Sequence, residues 1–482
     1  MTNRESTGKA SSHGGAGGLS GAVLAASGPW LLWVGVFIIA LALLGGSSRA
    51  DPIQNAILRP IAALLLIPAL YRLRAADLAN FRAMIVLGSV MLGWMILQLV
   101  PLPPTLWQSL PGRESIARLD QLAGIEGVWR PLSLAPFRGL DAALGMVVPV
   151  AALLLALSAR LKAQAILLAI TAMGLINAAF GILQVIGGPK SPFYLFALTS
   201  RGAPAGIFAN ENHSAVFSSI VLLVIARLAI SGPAGNLPKW VRLSLAPASL
   251  FVLLAVLISG SRAGLATTVL ALGAGGLMLW FGLRAGETPS SRKGSSAGTD
   301  RRFGLALLAG GATAVVAVVA AFLLLDRAPA AGDLLTSKSF EDLRWSLWPV
   351  LTEMMRDHWL VGTGFGSFDA VYRSYEPTAL LLPLYVNHAH NDWAQLVIEG
   401  GLPAATCLLG MLGWVSASIW RIARRTPGSG ALVVFWAAWL AIMMAASAVD
   451  YPLRTPIFQA VSVWLMLCLA FDSMASKAGA NE

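Results

Sequence analysis

Long apolar runs alternate with short polar gaps along most of this chain. Twelve runs approach membrane-crossing length, at roughly 29–46, 54–71, 82–101, 139–158, 163–186, 212–231, 243–260, 263–283, 304–325, 393–420, 429–448 and 455–473. An α-helix rises ~1.5 Å per residue, so about 20 apolar residues cross a hydrocarbon core about 30 Å thick. The pattern predicts an all-α polytopic membrane protein with about twelve transmembrane helices. The second run is the least regular, because Arg59-Pro60 interrupts it.

Two connecting segments are long enough to carry structure of their own. One spans about 102–138, with "PLPPTLW" and "VWRPLSLAPFR"; the other spans 326–392. Within the second, Leu343, Leu347, Val350/Leu351 and Met354 recur at helical spacing, with Ser339 and Asp342 as a capping pair. The reading is an amphipathic helix on the outer membrane face, kinked or interrupted by Pro349 and ended by the Gly-rich turn "GTGFG". The stretch "ETPSSRKGSSAGTDRR" is polar and low in complexity, and reads as a disordered connector. No internal repeat stands out, which disfavours transporters built from duplicated halves. The expected organisation is a disordered tail over 1–27, helices 1–9 over 28–325, a loop over 326–392, helices 10–12 over 393–473 and a tail over 474–482.

Composition sharpens this picture. The chain is 57% hydrophobic and only 12% charged, about half the share usual in soluble domains. Its net charge of +11, from 34 Lys+Arg against 23 Asp+Glu, lies in loops and not in a basic stripe interleaved with aromatics, so no nucleic-acid partner is expected. An even number of spans puts both termini on one side. Clusters such as "RRFG" and "RIARR" follow runs that must exit inward, which makes that side cytoplasmic. The N-terminal stretch would make a short, weak signal-peptide core and reads instead as a tail before a retained helix. Cys407 and Cys468 fall inside apolar runs, so no disulfide framework is expected.

On this topology the unusual polar residues gather at the outer face. "NHAHNDWAQLVIEGGLP", 387–403, puts Asn387, His388, His390, Asn391 and Asp392 at the mouth of a long apolar run in a chain with five histidines. Arg201 and Asn212 lie in "TSRGAPAGIFANENHS", whose glycines let backbone N–H groups approach an anion. Arg262, in "ISGSRAGLA", stands in a very tight turn between two spans; Asp450 and Arg454 stand in "VDYPLRTP", the last outer turn; Arg344 lies on the helix of the long loop. An arginine at a helix end often snorkels to the headgroups, and that is the plainer reading of Arg454. His213 and His358 read as interfacial or structural. "GTGFG" is not a nucleotide fingerprint, since no strand precedes it. His-x-His with Asp392 is compatible with a cation, but no third and fourth ligands fall at a recognisable spacing, so neither a metal nor another cofactor is expected. A neutral imidazole at an aqueous edge can instead act as a base.

Together, Arg201, Arg262 and "HAHND…EGGLP" resemble the superfamily of O-antigen ligases and O-antigen polymerases, bacterial envelope glycosyltransferases with a GT-C-like architecture. The resemblance covers about 195–460; His390-Asn391, then nine intervening residues, then Gly401 fits the ligase spacing, whereas Ala404 departs from it, and "HAHND" and "DYPLRTP" are closer to polymerases of secreted polysaccharide. It implies glycosyl transfer at the periplasmic face of the inner membrane, in O-antigen, lipopolysaccharide or exopolysaccharide biosynthesis. The donor would be a glycan on undecaprenyl pyrophosphate. The acceptor would be another glycan or lipid A–core, with a chain-length regulator as a further partner. By resemblance His390 is the base, Arg201 and Arg262 hold the pyrophosphate, and Asn387, His388, Asn391, Asp392, Asn212, Arg344, Asp450 and Arg454 orient the base or touch the acceptor. Asp392 is the residue expected to fix the imidazole tautomer. The rival of another class is a flippase for lipid-linked oligosaccharides; transporters hold ionisable groups near the midplane, whereas here they gather at one face.

Overall fold

A computed structural model describes residues 16–49, 53–230, 237–285, 317, 320, 340–381 and 386–478. The chain is a polytopic helical membrane protein. Its helices are α1 Ala16–Leu44, α2 Ile53–Arg72, α3 Ala75–Ala79, α4 Arg82–Leu97, α5 Pro104–Gln108, α6 Glu114–Leu122, α7 Pro136–Gly145, α8 Val147–Ser158 and α9 Ala163–Gly187. They continue as α10 Glu211–Ile230, α11 Lys239–Leu257, α12 Arg262–Ala285, α13 Phe340–His358, α14 Phe368–Tyr372, α15 Asp392–Arg425, α16 Gly430–Val449 and α17 Pro456–Ala478. The described strands are β1 Pro101–Leu102 and β2 Arg130–Pro131, a two-residue antiparallel pair.

Among the described residues nine helices are long and apolar enough to cross a membrane, and Trp30–Leu44 and Arg82–Leu97 are shorter apolar helices. These eleven coincide with eleven of the twelve expected spans; the other, 304–325, lies outside the described residues except at 317 and 320, and Ser339 and the connector at 287–302 lie wholly outside them. Helix α1 begins at Ala16, inside the stretch expected as a tail. Helix α2 runs unbroken through Pro60 and Pro68.

The bundle is organised around α10, which is 83% buried across its apolar window and packs on α9, α11, α12 and α16. Small residues allow the closest crossing. A Cβ at Gly264 would lie 2.2 Å from that of Ala215, and Ser219 Oγ meets Thr267 and Thr268 Oγ1 at 3.0 and 2.8 Å. Lipid supplies no hydrophobic drive between helices, so such backbone approach and interhelical hydrogen bonds are what hold them.

At one end the two long segments join into a cap. Ser133 N donates to Gln98 O, Leu134 N donates to Thr363 O, and Arg113 reaches Leu132 O and Gly362 O at 2.8 and 2.9 Å. The expected helix of the second segment is α13. Its stripe Leu347, Val350, Leu351 and Met354 packs against Phe368, Tyr372, Ala394 and Ile398, so this stripe meets protein. Pro349 does not interrupt it. The proline is on the exposed side, where water can take the carbonyl it frees.

The "GTGFG" turn has a structural task. Helix α15 breaks at Gly401, with φ 61° and ψ −158°, and a side chain there would press on the backbone of 360–362. The break frees carbonyls that the turn and α4 recapture: Thr363 N donates to Ile398 O, Gly364 N and Gln98 Nε2 to Glu399 O, and Trp94 Nε1 to Gly400 O at 2.7 Å. Buried backbone groups without such partners would be costly in a membrane protein.

A directional hydrogen-bond chain also locks the cap. Arg113, fully buried, faces His358 Nδ1 at 3.3 Å; His358 Nε2 faces Tyr375 O–H at 3.0 Å, which donates to Asp357. A guanidinium can only donate, so the imidazole here is neutral, with its proton on Nε2. Burial, then the Arg113 charge, pushes the His358 pKa down to about 4 from the ordinary 6.5. Unfolded chain then binds a proton that folded chain refuses, so stability falls as pH drops through that window. Hydrogen-exchange protection across 104–136, taken relative to the intrinsic rate at each pH, is expected to fall between pH 6.5 and about 4, and His358→Gln to remove most of that pH dependence.

Candidate active site

The polar cluster forms where α15 begins beneath the cap. Asn391 is the N-cap of α15: its Oδ1 accepts from Ala394 N at 2.9 Å while its Nδ2 holds Ala448 O at 2.9 Å. This fixes the preceding loop, in which His390 takes φ +50°, a region that non-glycine residues seldom occupy. Such strain clusters at functional sites, where surrounding structure enforces it.

His390 points Nδ1 at Asp450 Oδ1, 3.6 Å away, and its side chain keeps 20% exposure. His213, from the first turn of α10, approaches the same oxygen with Nε2 at 3.8 Å. Both separations lie just beyond hydrogen-bond length. Burial by itself would raise the Asp450 pKa, but the two imidazoles, His213 foremost, outweigh it and hold the carboxyl below the usual range. Asp450 is therefore an anion at neutral pH. Tyr451 joins the three histidines, its ring 5.1, 4.5 and 4.9 Å from those of His213, His388 and His390.

Asp392 turns away from His390. It accepts from Arg454 Nε at 3.3 Å, Ser447 Oγ at 3.2 Å and Leu453 N at 3.1 Å. The carboxylate beside the His390 ring is thus Asp450, not the Asp392 expected to fix its tautomer. Arg454 also turns inward: its Nη1 meets Glu399 Oε2 at 2.5 Å, and Glu399 is fully buried. Glu399 Oε1 in turn accepts from Gln395 Nε2 at 3.0 Å and Phe368 N at 3.3 Å. Gln395 continues to His388 Nδ1 at 3.2 Å. His388 is partly buried, and burial with Arg454 pushes its pKa down to about 3, so it is neutral.

The arginines sit around the first turn of α10. Arg201 is exposed; it donates to Pro189 O at 3.1 Å and lies 5.5 Å over the Tyr194 ring. The next element contacts its loop directly, Glu211 N donating to Ser200 Oγ at 3.4 Å. Arg262 is half-buried at the first position of α12, and the turn before it passes Glu211, whose Oε2 would lie 3.7 Å from a Cβ at Gly260. The loops of Arg201, Arg262 and, through His213 and Asp450, His390 therefore all meet Glu211–Ser214. Asn212 belongs to that turn and has its N–H on Asn210 Oδ1. Asn387 borders the His388 side. Arg344 lies on α13, with its side chain outside the described residues.

Sequence reading missed Glu399, Gln395 and Tyr451 and set His213 aside. The signal for two of them was present: Asp392, Gln395 and Glu399 fall at i, i+3 and i+7, one polar stripe on an apolar helix.

A family model described as O-antigen ligase matches residues 247–409. The matched region takes in Arg262, His388, His390, Asp392 and Glu399; Arg201, Asp450 and Arg454 lie outside it. No curated protein matches the chain. The match supports glycosyl transfer of the ligase or polymerase type in a multi-pass bacterial membrane protein.

Proposed function

We propose that this chain, which matches an O-antigen ligase family model over residues 247–409, performs inverting glycosyl transfer at the periplasmic face from an undecaprenyl-pyrophosphate-linked glycan to an acceptor sugar hydroxyl. The product we favour is a growing chain of O-antigen or exopolysaccharide repeat units. The observation that carries the reading is a strained, partly exposed imidazole whose Nδ1 faces a buried carboxylate, beside two arginine-bearing loops. Asp450 favours the tautomer with the proton on Nδ1, which leaves Nε2 to take the acceptor's hydroxyl proton. The hydroxyl oxygen forms a bond to the anomeric carbon as the bond from that carbon to the pyrophosphate oxygen breaks. The pyrophosphate leaves with the electron pair, and Arg201 and Arg262 meet its growing charge with bidentate forks. Arg262 stands at a helix N-terminus, where the helix dipole adds to that field.

The test is Arg262→Lys, which keeps the charge and loses the fork. Transfer is expected to fall roughly 10²-fold, the scale of one lost transition-state donor. Equal rates for the two proteins would count against pyrophosphate clamping. The matched family's description favours a second reading, ligation to lipid A–core. Deleting the gene separates the two. Loss of a polymerase leaves single repeat units attached to the acceptor; loss of a ligase leaves long chains on the carrier.

A further inference from the structure

At the bundle end away from the cap, the turn from α8 to α9 holds an arginine where its backbone favours glycine. Arg160 N donates to Leu157 O and Leu161 N to Ala156 O, both at 3.0 Å, the paired bonds of a Schellman stop. The stop sets Arg160 at φ +52°, and among the described residues only His390 shares a positive φ without being glycine. The backbone gains nothing from an arginine there; what the residue adds is a guanidinium.

Arg160 borders a cavity of about 500 Å³, within the range of roughly 300–1,000 Å³ usual for ligand sites. Its floor is apolar. Phe81, Ala156 and Leu157 are buried, and Phe471 and Met474 of α17 complete it, the Phe81 and Phe471 rings packing edge-on at 5.5 Å. Its rim carries Asp77, Asn80, Arg160 and Lys162. The Arg160 side chain is 60% exposed and reaches Asp77 only at 3.8 Å, and an exposed pair so placed holds weakly. Asp77 Oδ2 already accepts from Arg74 N at 3.0 Å. Lys162 is exposed and has no ion pair among the described residues. The adjoining stretch 72–82 adds Arg72, Arg74 and Arg82, with Asp77 as its single acid. Five cations thus surround one carboxylate, and the field at the rim favours an anion.

The floor narrows the choice of anion. A free inorganic anion would use the rim and leave the apolar floor uncovered, whereas a lipid phosphate uses both. Helix α4 begins at Arg82, α8 ends at Ser158 and α17 ends at Ala478, so the cavity lies where apolar helices meet a membrane surface. Basic pockets between helices at that level bind acidic headgroups. We propose that this cavity binds an anionic phospholipid of the phosphatidylglycerol kind. The phosphate lies between Arg160 and Lys162, the headgroup hydroxyls meet Asn80 and Asp77, and the start of an acyl chain covers the floor. A zwitterionic headgroup would add an ammonium to a rim already in positive excess. The bound lipid bridges the 72–82 stretch, the α8–α9 turn and the end of α17, and stabilises the fold by holding them together. The site is at the opposite end of the bundle from His390 and independent of the chemistry there.

The full-length protein, stripped of lipid in detergent, is titrated with dioleoyl phosphatidylglycerol and followed by native mass spectrometry and thermal melting. Saturable binding of one lipid and a higher melting temperature are expected, with dioleoyl phosphatidylethanolamine bound at least about fivefold more weakly. Arg160→Gly separates binding from folding, because glycine suits φ +52°. Its lipid-free melting temperature should be equal or higher, while its affinity for phosphatidylglycerol falls roughly fivefold, the scale of one cation at a charged membrane surface. Lys162→Gln should lose a similar factor. Arg425→Gln, at an exposed arginine of the same bundle end, should lose nothing. Unchanged binding in Arg160→Gly, equal affinity for the two headgroups, or an equal loss in Arg425→Gln would mean diffuse attraction and overturn the proposal. Displacement by millimolar inorganic phosphate would assign the cavity to a free anion, and displacement by undecaprenyl phosphate to the carrier; either overturns it too.

Discussion

Replacing His390 by alanine is expected to lower glycan transfer by ~10²–10⁴-fold, the usual contribution of a positioned general base, while leaving carrier binding close to normal. The prediction follows from the division of labour around the ring. Its Nδ1 faces Asp450, its side chain retains solvent access, and the backbone is forced into a left-handed conformation that serves packing poorly. A histidine kept only for structure would be better placed with ordinary φ. Asp450→Asn supplies the companion measurement. It keeps shape but removes the charge that favours a proton on Nδ1, so turnover is expected to fall although His390 remains. Turnover and carrier affinity measured separately in purified protein decide the matter. Full activity in His390→Ala would exclude it as the base. Loss of carrier binding together with turnover would make it a binding residue.

Much of the architecture was legible because bilayer thickness imposes a length on apolar runs that sequence displays openly. Eleven expected spans reappear as apolar helices, and the stripe of α13 follows the spacing read for it. Prolines misled, because their effect depends on which face they occupy. Pro349 sits where water replaces the lost partner, so the helix continues. The site was legible in its strange residues and illegible in its pairings. His390 and Asp392 are two apart in the chain, which suggested a local couple. The fold instead brings Asp450 to His390 and Arg454 to Asp392 from the same distant turn. Nothing in local spacing encodes that choice, because it is set by how the start of α17 docks beside α15. The three carboxylates are thereby sorted into two tasks. Asp450 serves imidazoles, while Asp392 and Glu399 serve one guanidinium.

That second task predicts the largest effect on stability. Arg454→Leu is expected to destabilise the protein by roughly 3–5 kcal/mol, the scale seen when one partner of a buried ion pair is removed. The residue itself is partly exposed, at 19%, but Asp392 and Glu399 are 4% and 0% exposed at the side chain. Burial works against the Arg454 charge, but Glu399 and then Asp392 more than offset it and raise its pKa, so the guanidinium and each carboxylate stabilise one another. Take the guanidinium away and two buried carboxylates face each other with only neutral donors: Ser447, Leu453, Gln395 and Phe368 N–H. Glu399→Gln is the informative contrast. It preserves shape and most hydrogen bonds, and leaves Arg454 paired with Asp392, so its loss should be clearly smaller. Thermal melts of the two purified variants in one detergent test the ordering. If Arg454→Leu melts no lower than Glu399→Gln, the carboxylates are not being held by Arg454. The cluster would then be a solvated rim.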